Sequence, residues 1–82
     1  MKNIFKLTLI CNEKKIFDDN VCEVRVKRND EDITILAEHQ PYMAEINKLI
    51  SYTEENDSPK TIEFESGFFY TNGHHLFVVI DN

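Results

Sequence analysis

The chain has 82 residues, 41% hydrophobic and 29% charged, which is one small domain with a thin core and excludes a second domain and most self-contained enzymes. Fifteen acidic against nine basic side chains give a net charge of -6, the wrong sign for a chain whose main partner is nucleic acid or an anionic lipid surface. No apolar run approaches the roughly 20 residues that span a bilayer. The start, Met1-Lys2-Asn3-Ile4-Phe5, turns polar too quickly for a signal peptide.

In chain order, Ile4 to Cys11 alternates, with Phe5, Leu7, Leu9 and Cys11 on one face and Lys6 and Thr8 on the other. That is the period of a half-buried strand. Asn12-Glu13-Lys14 reads as a polar turn, Lys15 to Asp18 as a short strand around Ile16 and Phe17, and Asp18-Asp19-Asn20 as a second turn. Val21 to Lys27 alternates again, with Cys22, Val24 and Val26 on one side. Arg28 to Asp32 reads as a charged loop and Ile33 to Ala37 as a β-branched strand. After Pro41, the spacing of Tyr42, Ile46, Leu49 and Ile50 favours a helix, with two short strands as the alternative.

Glu54 to Lys60 is a loop. Thr61 to Glu65 alternates with Ile62 and Phe64 inward, Ser66-Gly67 interrupts, and Phe68-Phe69-Tyr70 resumes. Asn72-Gly73 between two apolar runs predicts a type I′ hairpin turn. Leu76 to Ile80 closes the chain as a continuous apolar strand. Seven or more short strands separated by turns predict an all-β sandwich or small barrel. Leu76 to Ile80 and Phe68 to Tyr70 are apolar on both strand faces. In a two-layer fold such a strand needs a protein partner or an overhanging loop on its outer side.

The chemistry-bearing residues converge on no reaction. Cys11 and Cys22 fall on inward strand faces, form no disulfide framework and read as small core residues with free thiols in a reducing compartment. No cysteine or histidine spacing fits zinc, and His74 and His75, adjacent on a strand, point to opposite faces. Ser51, Ser58 and Ser66 lie in no nucleophile motif, the carboxylate runs fall in predicted loops, and Gly67 and Gly73 alone cannot make a phosphate loop. These features predict a chain that is not an enzyme and carries no metal or cofactor. His39, between a strand and Pro41, either organises a turn or presents itself to a partner.

The stretch Thr34 to Pro41, TILAEHQP, resembles the turn read as "GILPGHAP" or "TVLAGHQP" in the epsilon subunits of F-type ATP synthases. Phe5 to Ile10 is similar to the family's first strand, Val21, Val24 and Val26 to its "V..V.V" strand, Ser66-Gly67-Phe68-Phe69 to its "GGF" segment, and Leu76 to Asp81 to its "VTVLAD" end. The resemblance implies one domain over residues 1–82, all-β, a small two-sheet β-sandwich of about 8–10 short strands. This replaces the helical reading of Tyr42 to Ile50 with strands.

It also implies a non-catalytic rotor part of the central stalk. Such a part binds the gamma subunit and the c ring at the cytoplasmic face of the inner (plasma) membrane and couples ion flow to ATP synthesis. It is not a homo-oligomer. Asp32, Glu38 and His39 would face the c ring, and Phe69, Phe77 and Val79 the gamma subunit. The alternative is a stand-alone β-sandwich interaction module that has left the synthase. The family's C-terminal helical hairpin would begin where this chain stops, at Asn82, which implies a chain that couples without self-inhibition. The departures are Asn12 for a family proline, Asp18-Asp19-Asn20 and Lys27 to Asp32 without the family's glycines, and Asn47-Lys48-Leu49 for "KPG". They predict turns of altered type.

Overall fold

The computed structural model describes residues 4–37, 40–55 and 57–82. They form seven strands: β1 (Phe5–Cys11), β2 (Lys14–Val21), β3 (Glu23–Arg28), β4 (Glu31–Ile35), β5 (Tyr42–Thr53), β6 (Lys60–Thr71) and β7 (His75–Asp81). Hydrogen bonding runs unbroken in the order β2-β1-β7-β6-β5-β3-β4. All neighbours are antiparallel except β1 and β7, which pair in parallel and tie the two ends of the chain together.

This one sheet folds back on itself. β2 and β5 are four steps apart in the order, which at about 4.8 Å per step is roughly 19 Å in a flat sheet. Yet the rings of Phe17 on β2 and Tyr52 on β5 lie 4.6 Å apart, centroid to centroid. The bend falls in the two 12-residue strands. Tyr42 to Ile46 pairs with Gly67 to Thr71, and Lys48 to Tyr52 pairs with Lys60 to Phe64. The first half of this hairpin continues into β7, β1 and β2, and the second half into β3 and β4. The expected sandwich is therefore two halves of one continuous sheet. Its strands number seven among the described residues, because each long strand carries through a point where the sequence suggested a break.

A bulge marks that bend. Between Ile46 and Lys48, β6 moves from Gly67 to Phe64, so Glu65 and Ser66 together oppose Asn47. An extra residue shifts the alternation by one. Before the bulge, even positions of β6 point inward, Ile62 partly buried and Phe64 buried; after it, odd positions do, with Phe69 and Thr71 buried. Gly67 sits at the shift and faces β7 so closely that a Cβ there would press on the Val79 carbonyl oxygen and lie 2.8 Å from Ile80 Cγ2. Gly67→Ala is expected to lower stability by about 2 kcal/mol, because backbone and a packed side chain must both move. Urea unfolding of the two proteins checks this.

The core comprises Leu7, Leu9, Val24, Val26, Ile35, Ile50, Phe69, Leu76, Val78 and Ile80, with Phe5, Val21, Ala44, Ile46, Tyr52 and Phe64 around them. The buried members of β5, namely Ala44, Ile46, Ile50 and Tyr52, have period two. The helical spacing after Pro41 was a coincidence of one strand's exposed and buried apolar residues. Asp18, Asp19 and Asn20 are not a turn but the second half of β2, paired with Thr8, Leu7 and Lys6. β2 is an edge strand, where polar and charged side chains are permitted on both faces and guard against further pairing.

The glycine-free turns keep left-handed backbone. Asn12 and Glu13 have φ of 49° and 70°, and Asn29 and Asp30 have 50° and 71°. Arg28 pairs directly with Glu31, so the expected charged loop is a two-residue hairpin turn with positive φ at both central positions. Asn29 is held by Asn47, whose Oδ1 accepts its N–H at 3.2 Å and whose Nδ2 donates to its Oδ1 at 3.2 Å. Lys48, also at positive φ, leaves the strand's alternation and pairs with Asp30. The Asn72-Gly73 turn differs from the expected type I′, because positive φ falls on Gly73 and not on Asn72. Asn72 instead folds its side chain over the turn, its Oδ1 accepting the N–H groups of His74 and His75 at 2.9 Å each.

Candidate docking face

The two outer faces of the folded sheet differ in chemistry. On the β3-β4 side, cross-strand neighbours are polar. Arg25 lies beside Thr34 and Ser51, Lys27 beside Asp32, and Ser51 beside Thr61. Asp32 sits in β4, highly exposed, with its carboxylate 3.4 Å from Lys27 Nζ. An exposed pair of this kind contributes little to stability. Glu38 and His39 lie outside the described residues.

The opposite outer face is apolar. The register places Met43, Tyr70, Phe77 and Thr8 side by side across β5, β6, β7 and β1, and Glu45, Phe68, Val79 and Ile10 in the next row. Met43 is 65% exposed, Phe68 45%, Tyr70 41% and Phe77 39%, while Val79 and Ile10 are half-buried. Four large side chains left this wet on adjacent strands form a contiguous patch of the kind that marks a protein-docking surface. An open trough of about 460 Å³ borders it at the bend, lined by Arg28, Glu45, Asn47, Glu65, Phe68 and Asp81 among others.

Of the residues expected to face a partner here, Phe77 and Val79 lie on this face and Phe69 does not. Phe69 is fully buried, with its ring centroid 5.6 Å from that of Tyr42. The bulge in β6 turns it inward and turns Phe68 and Tyr70 outward. Met43 and Ile10 carry no signal in the sequence alone, and Phe68 and Tyr70 show there only as members of a doubly apolar run. The signal that finds them is the hairpin register, which sets Phe68 opposite Val79 and Tyr70 opposite Phe77.

A polar chain borders the patch. Thr8, only 7% exposed, donates its hydroxyl proton to Asp18 Oδ1 at 3.0 Å, and His75 Nε2 is 2.7 Å from the same hydroxyl oxygen. A hydroxyl has one proton, so the imidazole is the donor to Thr8. Catalysis of acyl transfer needs the reverse, a histidine that takes the hydroxyl proton. The His75 ring stacks on Phe77 with centroids 3.8 Å apart and planes 22° from parallel. Lys15 and Lys6 flank Asp18 at 3.1 and 3.5 Å. The Lys15 bond, then the Thr8 bond, hold the Asp18 carboxyl below its ordinary value of 3.8.

Burial first, and then the Lys6 charge, push the His75 imidazole below its ordinary 6.5, with Asp18 opposing. In the unfolded chain His75 returns to its ordinary value and takes up a proton first as pH falls. Its contribution to stability is thus whole above 6.5 and is lost as pH falls through the folded value. Stability is expected to decline below about pH 6.5, ahead of the losses near and below about pH 4 from Asp18 and from Asp30, whose carboxyl the Lys48 bond holds below its ordinary value. His75→Gln removes the upper part of that decline. Urea midpoints across this range, for both proteins, check it.

Cys11 and Cys22 are free and half-buried. Cys11 packs against the core, and Cys22 Sγ lies 3.5 Å from the Thr53 carbonyl oxygen. Among the described residues no group of three or more His, Cys, Asp and Glu side chains could hold a metal.

The family model described as the ATP synthase delta/epsilon chain β-sandwich domain matches residues 4–82. The chain belongs to that family. This delta/epsilon-chain domain is 29% identical over 83 residues to the ATP synthase epsilon chains of two strains of Ureaplasma parvum serovar 3, and the match covers 99% of this chain and 61% of each relative. It therefore spans about three-fifths of the curated relatives it matches. Its fold is shared with a chain of the Euglena gracilis mitochondrial ATP synthase, solved as OSCP/F1/c-ring, at TM-score 0.88, 16% identity, 98% of this chain and 52% of that one. It is shared too with a chain of the Tetrahymena thermophila mitochondrial ATP synthase central stalk and c ring, at TM-score 0.77, 12% identity, 99% of this chain and 66% of that one.

Proposed function

We propose that this delta/epsilon-chain domain is a non-catalytic rotor part of an ATP synthase central stalk, docked on the gamma subunit through the apolar outer face of β5, β6, β7 and β1. The observation that carries the reading is the asymmetry of the sandwich, one outer face polar and the other apolar across four strands. Phe68, Tyr70, Phe77, Val79 and Met43 contact gamma. Asp32, Glu38 and His39 face the c ring, and the assembled rotor couples ion flow to ATP synthesis at the cytoplasmic face of the membrane. The relatives named ATP synthase epsilon chain and the neighbours solved within central-stalk and c-ring assemblies support this placement. The missing glycines weigh toward the stand-alone module, but Asn29, Asp30 and Lys48 retain left-handed backbone without glycine.

The test is co-expression of this chain with the gamma subunit of the same genome, followed by size-exclusion chromatography with light scattering. A one-to-one complex is expected. Two folded proteins that elute apart would refute the assignment.

A further inference from the structure

We propose that docking on the apolar face is linked to protonation of His75: the face binds its partner with the imidazole neutral and lets it go when the ring takes a second proton. This rests on the reading of that face as the gamma-docking surface. His75 stands at the border of the patch, where its ring stacks on Phe77 at 3.8 Å, and Phe77 is 39% exposed at the middle of the first apolar row. A partner that covers Phe77 also covers the stacked ring.

The surroundings of the ring define its chemistry. From β1, Lys6 is the register partner of His75, and Thr8 holds Nε2 at 2.7 Å. From β2, Asp18 accepts from Thr8 and is flanked by Lys6 and Lys15. From the β6–β7 turn come Asn72, which accepts the His75 backbone N–H, and the exposed His74. From β6, Tyr70 flanks Phe77 on its far side. Two lysines share the one carboxylate, so little negative charge remains to stabilise an imidazolium.

Nε2 already carries its proton in the bond to Thr8, which leaves Nδ1 as the atom that gains the second. Removing water from a charged ring costs far more than removing it from a neutral one. The covered state therefore favours neutral His75, and by reciprocity protonation weakens docking. No bond is made or broken beyond this proton transfer with solvent.

The measurement is the dissociation constant for the gamma subunit of the same genome across pH, for the wild-type chain, His75→Gln and His74→Gln. Glutamine at 75 keeps an N–H for Thr8 and cannot titrate. For wild type and His74→Gln, the dissociation constant is expected to rise a few-fold between roughly pH 7.5 and pH 5.5, below the ceiling of about tenfold that an unshifted imidazole would set, and for His75→Gln to stay nearly flat. Equal slopes in all three, a flat wild type, or tighter binding at low pH would overturn the linkage and leave the docking assignment standing. No binding by wild type at the upper pH would overturn the docking assignment and the linkage with it.

Discussion

Phe69→Ala is expected to destabilise the domain by about 3–5 kcal/mol, while Phe68→Ala, one residue away, changes stability by less than about 1 kcal/mol. Phe69 has no exposed surface and lies within the cluster that includes Leu76, Val78 and Ile80. Its loss leaves a cavity that a close-packed sandwich cannot collapse around. Phe68 keeps 45% of its surface in water, so its truncation opens no cavity. Domains of this size are stable by about 5–15 kcal/mol. The first substitution therefore removes a large share of the total, with a fall in melting temperature of about 15–30 °C. Thermal and urea unfolding of the pair measure both effects. A similar loss for the two variants would mean that the parity shift at the β6 bulge is wrong.

The second large effect concerns binding. Tyr70→Lys is expected to weaken association with gamma by on the order of 100-fold, about 2.7 kcal/mol, and to leave the domain folded. Tyr70 lies between Met43 and Phe77 on the outer face and is 41% exposed, so lysine there is solvated in the free protein. In the complex the ammonium loses its water at a place occupied by an aromatic ring in the wild-type chain. Thr34→Lys, on the polar outer face beside Arg25, is the control and should change affinity by less than about twofold. Isothermal titration with purified gamma distinguishes the two. Equal losses would mean that the apolar face is not the contact.

The contrast between Phe68 and Phe69 also shows how far strand alternation reads a fold. Alternation holds where a strand is uninterrupted: Phe5, Leu7 and Leu9 in β1, Val24 and Val26 in β3, and Leu76, Val78 and Ile80 in β7 all point inward as their spacing requires. It fails across β6, because the residue that shifts parity is visible only once Asn47 is seen opposite both Glu65 and Ser66. The misassignment of Phe69 to the gamma side follows from that one residue.

β2 runs past its expected end for a different reason. Asp18-Asp19-Asn20 has turn chemistry, but on an edge strand its polarity faces water and the Asp18 side chain finds Thr8, Lys6 and Lys15. The Asn29-Asp30 turn lacks the glycine that marks a tight hairpin in a sequence, although asparagine and aspartate are the residues other than glycine that best tolerate left-handed backbone. Doubly apolar strands did signal an exposed apolar outer face, and two of the three residues expected on the gamma side, Phe77 and Val79, lie on it. The Thr8–Asp18–His75 chain joins residues up to 67 positions apart, through the parallel pairing of the first and last strands, and no local pattern reveals it.

The central claim, that gamma docks on the apolar outer face, is tested most directly by photo-cross-linking. A photoreactive side chain at position 77, on the apolar face, and another at position 34, on the polar face, are each introduced into the co-expressed complex. The account predicts efficient cross-linking to gamma from position 77 and none from position 34. Cross-linking from position 34 with none from position 77 would contradict it.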